Sequence, residues 1–158
     1  MRQAPIAKEA KRVDDRVSRL KSPKDCEVFS RNALKEGRLD LAAEASQRAV
    51  ELRAAAHGAT TDAERECLEA IYAYEEILFR KHGKRIRASR TWQMIRKRGI
   101  IASIEHAVDR PDGTAGFTAL KEVGLEHFAF EAVILRHASL FSESAINRSR
   151  ERMAKFGL

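Results

Sequence analysis

Gly37, Gly58, Gly83, Gly99 and Gly124 cut the chain into stretches of helical length. Within each stretch, apolar side chains recur at intervals of three and four, the period of a helix with one buried face. A glycine just beyond the last apolar turn is a common helix stop. No stretch alternates apolar and polar residues as a half-buried strand does. The expected fold is all-α: a compact bundle of about seven or eight short-to-medium helices arranged as antiparallel helical hairpins. Only three prolines interrupt 158 residues, and the abundance of alanine, leucine, arginine and glutamate favours helix throughout.

Local signals place the helix starts. Ser22-Pro23 offers an N-cap serine with proline at the first helical position, opening a helix to about Glu36. Asp40 is expected to cap a second helix, 41–57. Thr61-Asp62-Ala63-Glu64 has capping-box spacing and opens a long helix to about Lys81, with Cys67, Ile71, Tyr74 and Leu78 as its apolar stripe. Ser89 is expected to cap a helix over 90–98, and an apolar helical face follows over 100–108. The run RPDGTAG at 110–116 reads as a loop. A short helix is expected at 117–123. Residues 125–137 read as the most buried helix, and Ser142 as the cap of a last one. The charged face of that last helix, with Arg148, Arg150, Arg152 and Lys155, is expected to be solvated. Residues 1–21 read as a charged N-terminal arm, partly helical from about Lys8, and residues 22–158 as a single domain.

The segment CEVFSRNALKEGRLDLAAEASQRAVEL, within residues 26–57, resembles one tetratricopeptide-type hairpin. Gly37 matches the turn, and Leu39, Ala42, Ala49 and Leu52 fall at that family's packing positions. Ser30, Ser46 and Ala54 stand where the family carries a glycine, an aromatic residue and a proline. No second copy follows at the family's period of about 34 residues. The resemblance implies an antiparallel helix pair, and a repeat of peptide-binding type beyond it.

Charge is not spread evenly. No acidic residue lies between Glu76 and Glu105, and that gap holds Arg80, Lys81, Lys84, Arg85, Arg87, Arg90, Arg96, Lys97 and Arg98. The whole chain carries a formal +7, so with nine positive charges in the gap the remainder sums to −2. A slightly acidic body with one basic belt at 80–98 is the footprint of a polyanion-binding surface. Arginine, which predominates there, grips phosphate through two parallel N–H groups. Trp92 either stacks on an exposed base or, three residues from Ile95, belongs to the core. The stretch RTWQMIRKRGIIASIEHAV has the length of a helix-turn-helix, but its second helix is apolar where that motif carries base-reading residues.

Signatures of catalysis are missing. The histidines His57, His82, His106, His127 and His137 form no HExxH pair, although His127 with Glu131 and His57 with Arg53 are spaced to share helix faces. Cys26 and Cys67 form no Cys-x-x-Cys and read as small core residues in a reducing compartment. No glycine-rich phosphate loop precedes a Lys-Ser or Lys-Thr pair. Pro111-Asp112 lacks the Glu-x-Lys of a magnesium nuclease. Neither a catalytic residue nor a metal or other cofactor is expected. The opening MRQAPIAKEAKRVDD has no apolar signal core, and no apolar run reaches the ~20 residues of a membrane span, so a cytoplasmic protein is expected. The function expected is a non-catalytic accessory or regulatory protein that binds DNA or RNA phosphates through the nine belt cations. The alternative is a helical protein-interaction adaptor or subunit of a larger assembly, possible as a homodimer, whose belt holds an acidic protein.

Overall fold

The structure, a computed structural model, describes residues 12–110 and 115–157. Its elements run α1 (Asp15–Ser18), α2 (Pro23–Lys35), α3 (Leu39–His57), α4 (Asp62–His82), α5 (Ser89–Arg98), α6 (Ile100–Val108), α7 (Ala115–Glu122), α8 (Phe130–Arg136) and α9 (Glu143–Lys155). Single 3-10 turns lie at Glu126–Phe128 and Ala138–Leu140. Among the described residues there is no strand, as expected for an all-α chain, and no helix is long and apolar enough to cross a membrane. Residues 8–11 of the helix expected from Lys8 lie outside the described residues. So do Pro111 and Asp112 of the expected loop.

The bundle is assembled around α4, about 31 Å long at 1.5 Å per residue. It buries Ala63, Cys67, Leu68, Ala70, Ile71 and Ala73 and packs against α3, α6, α7 and α8. Around Leu68 and Ile71 the core takes in Trp92, Ile104, Val133, Ile134 and Phe141. A second cluster joins Val50 and Ala73 to Phe117, Leu125 and Phe128. On the other side stands the α2–α3 hairpin, closed by Phe29, Ala33, Leu41 and Ala42. Small residues on α3 (Ala42, Ala45, Ala49 and Ala54, all buried) let its neighbours approach closely. The Ser30 hydroxyl donates to the Ala42 carbonyl at 3.3 Å. Of the positions shared with the tetratricopeptide pattern, Ala42 and Ala49 are buried, while Leu39 is 71% exposed. The described part of the N-terminal arm packs on α3 through buried Val17. Hydrogen bonds from the Asp14 amide to Glu44 and from Arg48 to the Leu20 carbonyl hold it there.

Three of the expected caps form. Ser22, Thr61 and Ser142 accept from the amides of Asp25, Glu64 and Ala145 at 3.1, 3.1 and 3.2 Å. The capping box at Thr61 is shifted by one residue, since the Glu64 carboxylate accepts from the hydroxyl and amide of Thr60. Those two bonds hold the Glu64 carboxyl below the usual glutamate range. Replacing an N-cap threonine by alanine costs about 1 kcal/mol. For a chain of this size, Thr61→Ala should lower Tm by about 2–4 °C, readable by circular dichroism melting. An unchanged Tm would show that the cap contributes nothing.

Four local expectations are corrected. α3 starts at Leu39, and Asp40 lies inside it, paired with Arg38 through two hydrogen bonds of 3.1 Å rather than capping. Ser89 is the first residue of α5 and caps nothing; its hydroxyl donates to the Arg87 carbonyl. Residues 125–137 are not one helix, because Ala129 turns to an extended conformation (φ −59°, ψ 148°) between the 3-10 turn and α8. Finally, the charged face of α9 is not all solvated. Arg152 is 7% exposed, donating to Glu131 at 3.2 Å and to the Arg110 carbonyl at 2.5 Å, while Arg148 donates to the Asp109 carbonyl. These two arginines secure the end of α6 against α9.

Candidate nucleic-acid interface

The belt occupies the last turn of α4, the 83–88 connection and α5. Gly83 ends α4 at φ +70°, its amide bonded to the Phe79 carbonyl at 2.8 Å. Gly99 joins α5 directly to α6 at φ +85°, ψ 170°, a conformation open essentially to glycine alone. With no side-chain cap of its own, α5 borrows a carboxylate. Glu75 Oε2 on α4 accepts from the Ala88 amide and from the Trp92 indole N–H, both at 2.8 Å. One acidic side chain therefore fixes both the start of α5 and its rotation about its axis, which sets the face that carries the cations.

The nine belt residues separate into two groups. Arg80 and Arg85 are engaged by the body of the protein, although Arg85 is itself exposed. Arg80 is half-buried and donates to the Ser46 hydroxyl at 2.5 Å; burial pulls its guanidinium below the usual arginine range, against the attraction of Glu76. Arg85 donates to Glu76 at 2.8 Å and Glu27 at 2.7 Å, with its guanidinium 4.2 Å from the Phe79 ring centre. Burial works against that charge, but the bonds to Glu27 and Glu76 outweigh it and raise the group. The other seven, Lys81, Lys84, Arg87, Arg90, Arg96, Lys97 and Arg98, are exposed. None of these has a carboxylate within 4 Å among the described residues. Arg87 leans on the protein, its guanidinium 5.5 Å from the centre of the Trp92 ring.

Trp92 belongs to the core. It is 5% exposed, with His57 stacked at 5.3 Å and Tyr72 tilted against it at 5.2 Å. A ring so covered offers no face to a base, so the stacking role weighed from sequence does not fit this residue. The second helix after Gly99 buries Ser103, Ile104 and Val108. Of its polar residues, Glu105 is occupied with the Ser142 amide.

The remaining reactive side chains are engaged elsewhere. His127 and Glu131 do not share a helix face: His127 sits in the 3-10 turn, and Glu131 pairs with Arg152 in α8. Arg53 pairs with Glu76 instead of His57. His137 is bonded to Glu66, which also accepts from Arg136. Cys26 and Cys67 are unpaired and buried, and burial pushes the Cys67 thiol up to about 12, far from a nucleophilic thiolate. Among the described residues no three His, Cys, Asp or Glu side chains are grouped to hold a metal ion. Compared with protein-family models, with curated proteins and with solved structures, the chain matches none.

Proposed function

We propose that this protein is a nucleic-acid-binding accessory or regulatory protein that grips phosphates with the outward cations of the 80–98 belt and performs no catalysis of its own. The observation that carries the reading is the row of seven exposed lysines and arginines without acidic partners among the described residues. A surface left uncompensated over so many residues repels itself and costs stability, and phosphates relieve that repulsion. Contacts of this kind supply affinity and position without reading sequence. Arg80 and Arg85, engaged by Ser46, Glu27 and Glu76, are structural in this reading and make no contact with the nucleic-acid phosphates.

Fluorescence anisotropy with labelled duplex DNA, single-stranded DNA and RNA over a salt series tests it. Four to seven phosphate contacts should give duplex binding whose log K falls against log salt with a slope of roughly −4 to −6. The strongest of the three binders identifies the natural class. No binding to any of them at low salt would overturn the reading and leave an acidic protein as the partner the belt serves.

A further inference from the structure

The α2–α3 hairpin stands off the C-terminal half of α4, leaving a groove of about 550 Å³. That volume is within the usual range for small-molecule sites, roughly 300–1,000 Å³. Its walls are apolar, with Leu34, Leu39, Phe79 and Val123 among them, and Ser46 and Arg80 supply polar atoms. Arg80 is the unusual member. It has five N–H donors, of which one bond, to the Ser46 hydroxyl, is made to the protein. None of its nitrogens is both sealed from solvent and unpartnered, and the residue lines the groove, so donors beyond the Ser46 bond remain available to a ligand there. Of the two glutamates of the lining, Glu76 attracts the Arg80 guanidinium without bonding to it, and both are shared with other arginines. Glu76 is held by Arg53 and Arg85, and Glu27 by Arg31 and Arg85. Arg31 and Arg80 line the groove with these two glutamates, and Arg53 and Arg85, outside the lining, bind the same carboxylates, so the cluster carries more arginine than glutamate.

We infer that this groove binds a small amphipathic anion, with a carboxylate or phosphate head taken by Arg80 and Ser46 and an apolar body lying against Leu34, Leu39, Phe79 and Val123. A neutral apolar molecule would fill the same walls but leave the guanidinium unmatched. An inorganic anion would match the guanidinium but leave the walls wet. Ion-paired hydrogen bonds from arginine in a half-buried site are stronger than neutral ones, so the head group decides affinity.

The test is a titration of the full chain with octanoate, octyl phosphate and octanol, followed by amide NMR shifts. The two anions should bind saturably, shifting the amides of Ser46 and Gly83, with the preferred head identifying the ligand's chemistry. Octanol should bind at least about tenfold more weakly, the factor worth about 1.4 kcal/mol. Arg80→Gln should bring the preferred anion down to the affinity of octanol. Leu39→Glu guards against a folding defect in that variant, because Leu39 is 71% exposed; a like charge at the rim should weaken the anions at least about threefold. Equal binding of anions and octanol, shifts elsewhere in the chain, or an anion preference that survives Arg80→Gln would overturn the assignment. The titration contains no nucleic acid, so its failure leaves the belt reading untouched.

Discussion

Replacing Lys84, Arg90, Arg96 and Lys97 together by glutamine is expected to weaken binding to duplex DNA by a factor on the order of 10² to 10⁴ at about 0.1 M salt. All four are exposed, and none is paired to a carboxylate among the described residues. Each lost phosphate contact should also flatten the salt slope by about 0.9, so the variant's slope should be shallower by 3 to 4 if all four make contact. The fold should barely change. Arg96 and Lys97 sit in the last turn of α5, where cations favour the helix dipole by a few tenths of a kcal/mol, while thinning a crowd of like charges returns a similar amount. A Tm within about 3 °C of the parent is expected. Affinity unchanged in this variant would remove the belt as the binding surface. Arg85→Gln should show the opposite pattern, a lowered Tm with little change in salt slope, because its charge is spent on Glu27 and Glu76.

That contrast marks where the sequence is readable and where it is not. Serine at 22, threonine at 61 and serine at 142 announce helix starts because a cap bonds to an amide three residues ahead, within the same short window. Glycine stops are local for the same reason. The stripe of α4 is legible in Cys67 and Ile71, both fully buried. At Tyr74 it fails, since that side chain lies exposed at a separate pocket lined also by Val108, Phe117 and Phe130. What escapes a sequence reading is the pairing of a charge with a distant partner. Arg80 and Lys81 are neighbours of the same sign, yet one turns to Ser46, 34 positions back, and the other points out. Arg152 looks like any cation on a solvated helix until Glu131 and the Arg110 carbonyl arrive from elsewhere in the chain. The start of α5 offered Ser89 as its cap, but the acceptor is Glu75, 13 residues earlier on another helix. The direction of the belt could be read; which of its members face outward could not, because that depends on carboxylates placed by tertiary packing.

Glu76→Leu is expected to destabilise the protein by about 2–4 kcal/mol, lowering Tm by about 5–15 °C. Glu76 is 5% exposed on α4 and accepts from Arg53 of α3 at 2.5 Å and from Arg85 of the 83–88 connection at 2.8 Å. Leucine fills a similar volume, so the loss comes from two arginines left without their shared carboxylate. A fully buried pair broken in this way costs about 3–5 kcal/mol. Arg53 and Arg85 keep part of their side chains in water, 20% and 38% exposed, which lowers the figure through solvation and screening. If the ladder Arg53–Glu76–Arg85–Glu27 acts as a unit, the double variant Glu76→Leu/Arg85→Met should lose less than the sum of the single variants, by at least about 1 kcal/mol. Strict additivity in chemical denaturation would mean that the two side chains stabilise the fold independently. Loosening Arg85 frees the connection that carries Lys84 and Arg87, but leaves α5 held by Glu75. Nucleic-acid affinity in Glu76→Leu should therefore fall only severalfold, far short of the loss from stripping the exposed cations, and this difference separates the carboxylate that shapes the belt from the charges that use it.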